Sequence, residues 1–190
     1  TAAGQQSIGG FQKGDFIFYY LGIIVVNQFT YPVSNWTVGD MIRTGIFSHW
    51  LLRPVAAIYE ALATDAATKI VCMPFVLVMA IGIGLILQPP VTFTLSNGLA
   101  FLLALALAQG IRFLLGYVLA LLALWSNRAD ALLALNDTFV FLLAGMVAPT
   151  ALLPGALGQI AVVLPYRYMI GFPIELLMGR LGYAEICTGF

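Results

Sequence analysis

Residues 97–125 read NGLAFLLALALAQGIRFLLGYVLALLALW. This is the longest apolar run in the chain, and its reading decides the fold. As a helix it would extend roughly 42 Å at the usual rise per residue. A bilayer's hydrocarbon core is about 30 Å thick, so the helix is expected to tilt or to project from the membrane. Strands of a membrane barrel would read instead as short alternating segments. Arg112 sits close to the middle of this run. A charge at that depth costs about 2.5–3.5 kcal/mol on insertion scales, so the guanidinium is expected to face the bundle interior, a dimer interface or water.

The remainder of the chain agrees with a lipid solvent. It is 62% hydrophobic and 8% charged, with a mean hydropathy of +1.00, whereas soluble domains carry about 25% charged residues. The fold class is therefore all-α, a polytopic integral membrane protein. Formal net charge is zero and no basic stripe is present, which removes the case for a nucleic-acid partner. The first residues do not read as a signal peptide with a charged start and a small-residue cleavage site. The chain begins at Thr1 and stops at Phe190 without a polar tail, and it reads as a piece of a longer reading frame, a single transmembrane unit over 1–190.

Working outward from 97–125, the polar turn Ser126–Asp130 is short enough only for neighbouring antiparallel helices. Ala131 to Val147 is the next expected span, with Asn136 and Asp137 in its first half. Upstream, Gln88-Pro89-Pro90 ends a span expected over Lys69–Leu87, with Pro74 as a kink. The first span is expected over Phe16–Tyr31, with Asp15 as its N-cap. Tyrosines at both ends of that run suit the headgroup level, and Asn27 and Gln28 should face other helices. Four spans result.

Two inserts interrupt them. Asn35 to Lys69 carries two helical patterns. In the first, Val38, Met41, Ile42, Gly45 and Ile46 share a face while Asp40, Arg43 and Thr44 point elsewhere. That is the amphipathicity of a helix lying in the interface. Arg53-Pro54 breaks the chain, proline being well tolerated at the first position of a new helix. The second pattern, Val55 to Ala67, carries Glu60 and Asp65. The other insert, 149–180, is broken by Pro149, Pro154, Pro165 and Pro173. Within it Gly155–Leu164 is too short to cross, as expected of a re-entrant or interfacial piece. Pro173–Arg180 should be a short helix with Glu175 and Arg180 placed to suit its dipole.

Lys and Arg set the orientation. With the 35–69 insert and the 126–130 turn on one face, that face holds Arg43, Arg53, Lys69 and Arg128, against Lys13, Arg167 and Arg180 on the other. The long insert is thus expected in the cytoplasm. Cys72 and Cys187 then lie at opposite faces, which argues against a disulfide. His49 has no Cys, Asp or His at ligand spacing, so it reads as an interfacial residue and not as a metal ligand. The sequence offers no catalytic residue, cofactor site or metal cluster.

The stretches MIRTGIFSHWLLRP (41–54) and LLAGMVAPTALLPGALGQIAVVLPYRYMIGFPIELLMGR (142–180) resemble the ABC-2 type permeases. The likeness is to the bacterial exporter membrane subunits that drug-export systems typify. The ordered features are Gly145, Pro149, Leu153-Pro154, Leu164-Pro165-Tyr166, Phe172-Pro173 and Gly179, and the resemblance covers about Gly9 to Gly179. The family has six transmembrane helices per subunit, and the four expected here match its second to fifth. The resemblance implies a multi-pass protein of the bacterial cytoplasmic membrane that pairs with a second permease, identical or similar. It also implies a separate ABC ATPase, because no G-x-x-x-x-G-K-[ST] motif is present. The 35–69 insert would supply the coupling element, with Asp40, Arg43, Gly45, Arg53, Pro54 and Glu60 as the residues nearest the ATPase. The 149–180 segment, with Pro149, Pro154, Pro165, Arg167 and Pro173, would form extracellular re-entrant helices capping the exit.

Alternatives remain open at single residues. Arg53-Pro54 is either a coupling determinant or a helix break with an interfacial anchor. Arg112 and Asp137 either form a buried pair that packs helices or line the translocation path. Arg167, between Tyr166 and Tyr168, is a headgroup anchor or an exit-path residue. At the level of the molecule, an ATP-driven exporter competes with an ion-coupled carrier, which would show internal repeats, and with an intramembrane lipid-modifying enzyme, which would need a convergent acid–base or nucleophile pair. No substrate class among drugs, lipids and glycans is preferred.

Overall fold

The computed structural model describes residues 13–88, 95–126, 129–149, 152 and 164–179. All regular structure among them is helical. Helix α1 spans Lys13–Thr30 and stops at Tyr31-Pro32, because the residue before a proline is pushed out of the helical region. Helix α2, Val33–Arg43, resumes at once. Gly45, at φ +79°, turns the chain into the short α3, Phe47–Leu51. A bend at Arg53-Pro54 leads into α4, Ala57–Leu87, which ends on Gln88 in the left-handed region, its N–H bonded to the Gly84 carbonyl. Helix α5, Leu95–Leu121, tightens into a 3₁₀ turn at Leu122–Leu124. Helix α6 is Ala129–Leu143, and α7, Tyr166–Met169, and α8, Gly171–Leu177, close the described chain.

The long helices pack side by side with α5 at the centre. Three apolar-to-polar-to-apolar layers follow its length. At its beginning, Leu105 packs with Tyr19 and Ile23 of α1, Val140 of α6, and Met169, Ile170 and Ile174 of α7 and α8. At its end, Phe113, Tyr117 and Ala120 pack with Val38 of α2, Ala61 of α4 and Leu133 of α6. So α1 and α2 run parallel to α5, and α4 and α6 run against it. Small residues permit the close approaches. A Cβ on Gly22 would lie 3.1 Å from Ile174 Cγ2, and one on Gly116 would collide with the Asn35 amide. That amide donates to the Phe113 carbonyl at 3.2 Å.

Several sequence expectations change here. Among the described residues three stretches, Lys13–Arg43, Ala57–Leu87 and Ser96–Leu124, are long and apolar enough to cross a membrane, where four spans were expected. The fourth, over Ala131–Val147, is carried by α6, which at 15 residues reaches only about 22 Å. It ends because Gly145, at φ +88°, breaks the helical path. The pattern Val55–Ala67 is not a separate interfacial helix: from Ala57 onward it is continuous with Lys69–Leu87 in the 31 residues of α4. Helix α2 follows α5 and buries Ser34, Asn35 and Val38 against the bundle. Gly45 and Ile46 leave its apolar face and are exposed, since α2 has already ended at Arg43. Pro154, Arg128, Arg180, Cys187 and most of the Gly155–Leu164 segment lie outside the described residues.

Candidate functional site

Between the two apolar clusters lies a polar layer at the level of Arg112. Arg112 is 3% exposed and donates through Nη1 to Asn27 Oδ1 at 2.8 Å and to Thr30 Oγ1 at 2.9 Å. Its guanidinium lies over the Tyr31 ring, 5.3 Å from the centroid. These partners sit on the last turn of α1, which runs beside α5. Asp137 of α6 is an electrostatic neighbour of Arg112, and it is approached by the polar edges of Tyr31 and Trp36. The two charges do not meet within 4.0 Å among the ion pairs of the described residues. The nearest-looking sequence partner is therefore a second neighbour, and an amide and a hydroxyl hold the guanidinium.

Sequence reasoning missed the other half of this layer. Lys69 forms an ion pair with Asp65 one turn earlier on α4, and both are largely buried. Gln109 Nε2 on α5 donates to the same Asp65 oxygen at 2.7 Å. Lys69 Nζ also lies 5.9 Å from the centroid of Phe29. The Asp65–Lys69 spacing is that of a helical ion pair, so the signal is present in the sequence. What hid it is that these residues read as the end of a polar insert, whereas the continuity of α4 carries Lys69 into the bundle, near enough to Arg112 to repel it. The layer is charge-balanced: Lys69 and Arg112 against Asp65 and Asp137. Charges so deep in lipid persist when paired and turned inward.

At the α5 C-terminal end, the turn between α2 and α4 projects from the bundle. Arg43 binds Asp40 at 2.7 Å and reaches Asp130 of α6 at 3.6 Å, with all three side chains about half exposed. Arg53 pairs with Glu60 across the bend at Pro54. Ile46, Leu51, Leu52, Val55 and Tyr59 are exposed between these charges, Leu52 at 83%. His49 is exposed as well. The result is an apolar knob with a charged rim, fixed at both stems by helices. Ile46 and Val55 entered the sequence reading only as members of helical patterns, and Leu51, Leu52 and Tyr59 were not singled out, because a loop leucine carries no periodic signal.

At the opposite end, the adjacent tyrosines of α1 hold the chain leaving α6: Tyr19 donates to the Gly145 carbonyl at 2.8 Å and Tyr20 to the Val147 carbonyl at 2.9 Å. Pro149 is buried there, and Pro165 caps α7. Arg167 donates to Glu175 at 2.8 Å, with both largely buried, and Pro173 is buried in the first turn of α8. Arg167 is thus an internal brace between α7 and α8. Burial pushes the Tyr166 phenol above its ordinary value. An apolar groove of about 460 Å³ opens between α1 and α4, lined by Phe18, Gly22, Val25, Ala80, Gly84 and Leu177 among others.

A bundle whose apolar helices surround paired charges, with a projecting turn at one end, suits a membrane transport subunit. A family model described as ABC-2 family transporter protein matches residues 3–189. The chain belongs to the ABC-2 transporter family. It is an ABC transporter permease, a membrane subunit and not itself an enzyme. Comparison with curated proteins and with solved structures gave no match.

Proposed function

We propose that this permease is the membrane-spanning subunit of an exporter driven by a separate ABC ATPase, which docks on the turn from Asp40 to Glu60. The observation that carries this reading is the exposed knob Leu51, Leu52, Val55 and Tyr59, rimmed by Arg43, Asp40, Arg53 and Glu60. Exposed apolar patches rimmed by polar residues mark interaction sites. On this reading the turn faces the cytoplasm of a bacterial cell, and the 149–180 segment caps the outer exit. A second permease, identical or similar, completes the pathway. The substrate is a drug, a lipid or a glycan, and the Arg112–Asp137 layer either lines its route or sets the packing of the helices around it.

The test is co-purification in mild detergent with the ATPase encoded beside the gene. Binding should be retained by the unaltered permease, lost on deletion of 40–60, and weakened by Arg53→Ala. A permease that never retains an ATPase would sink the exporter reading and favour an ion-coupled carrier. Binding that survives the deletion would move the docking site elsewhere.

A further inference from the structure

The polar layer contains atoms that its own side chains leave unpaired. Asp65 is 1% exposed and Arg112 3% exposed. Asp65 Oδ1, Gln109 Oε1 and Arg112 Nε are each sealed from solvent and meet no hydrogen-bonding partner. In lipid an unsatisfied polar group costs several kcal/mol. The residues that carry these atoms adjoin one another. Gln109 already touches Asp65 at 2.7 Å. Gln109 and Arg112 stand three residues apart on α5, so they share one face with their Cβ atoms about 5–6 Å apart. They consist of two acceptors and one donor.

We propose that a buried water occupies this point, accepting from Arg112 Nε and donating to Asp65 Oδ1 and Gln109 Oε1. A buried water characteristically makes about three hydrogen bonds to otherwise unsatisfied groups, which is the number and polarity offered here. The water joins the Asp65–Lys69–Gln109 group on α4 and α5 to the Arg112–Asn27–Thr30 group on α5 and α1. It gives Asp65 a third hydrogen bond, through Oδ1, beside those that Lys69 and Gln109 make to Oδ2, so the two cations are held in one network and not as isolated pairs. It also makes the centre of the bundle a wet site between two dry clusters. The inference does not depend on which partner docks on the turn or which substrate moves.

Radiolytic hydroxyl-radical footprinting tests it, because radicals formed from a bound water oxidise the side chains beside it. The permease would be irradiated in lipid nanodiscs, and oxidation of Tyr31, which lies against Arg112, compared with that of Tyr19, which is fully buried in the apolar cluster. Tyr31 should oxidise several-fold faster. Gln109→Leu removes one of the water's acceptors and should bring the Tyr31 rate down toward that of Tyr19. Gln109→Met, unbranched and of similar length, serves if the leucine variant does not elute as a single species. Equal rates for the two tyrosines in the unaltered permease would overturn the proposal. So would a fast Tyr31 rate that neither Gln109 variant changes, since the radicals would then come from bulk solvent.

Discussion

Arg112 is placed by the solvent around it. A guanidinium in lipid must find acceptors within the protein, and Asn27 and Thr30 supply them. Replacing it with leucine leaves a buried amide oxygen and hydroxyl without their donor, at a cost of roughly 2–3 kcal/mol, and leaves Asp137 without its nearest cation. Arg112→Leu should therefore lower the thermal midpoint of the detergent-solubilised permease, measured by loss of the monodisperse elution peak after heating. Arg112→Leu combined with Asp137→Asn should recover part of the loss. An unshifted midpoint in the single variant would show that the guanidinium does not hold the bundle together, leaving contact with the transport route as its role. The position of Arg112 was legible in the sequence, since one charge in a long apolar run must turn inward. Its partners were not, because a neutral amide and hydroxyl on a distant helix carry no charge pattern to read. Asp137 looked closer only because it is charged and lies on the next helix.

Among the elements, α4 carries the main departure from the sequence reading. Its polar first third and apolar remainder read as two pieces, yet one 31-residue helix runs from the projecting turn to the far side. Local composition changes at Lys69, but nothing in the backbone requires a break there: no Gly or Pro intervenes between Ala57 and Met73. The breaks at Tyr31-Pro32, Arg53-Pro54 and Gly145 are all signalled by Pro or Gly. A continuous rod moves its distant end when its near end is pushed. Softening it with Ala66→Gly and Ala67→Gly together costs about 2 kcal/mol of helix stability. ATPase binding should survive that change, while the stimulation of ATP hydrolysis by transported substrate should fall. Full stimulation in the double variant would mean that α4 does not carry the signal.

For the whole molecule, the exposed surface is as informative as the core. Phe75 is 73% exposed, and Ile70, Val78, Leu85 and Ile86 are similarly bare along α4. In water such a surface would drive aggregation; in a bilayer it is the ordinary outer wall. A tryptophan placed by Phe75→Trp, with the native tryptophans replaced by phenylalanine, should be strongly quenched by lipids brominated in their acyl chains. An unquenched signal would mean that protein, and not lipid, covers this face. The all-helical class and the lipid solvent were both legible from composition and run length. The number of full-length helices was not, because hydropathy does not register how far Gly145 shortens α6.

The long-range bonds of α1 bear on the order in which the chain is made. Thr30 and Asn27 wait for Arg112, 82 and 85 residues later, and Tyr19 waits for Gly145, 126 residues later. During synthesis α1 enters the bilayer before the groups that complete it exist. Helix α1 is thus completed only when much later residues arrive, and a nascent chain advertises its immaturity through the same side chains that later lock the finished bundle.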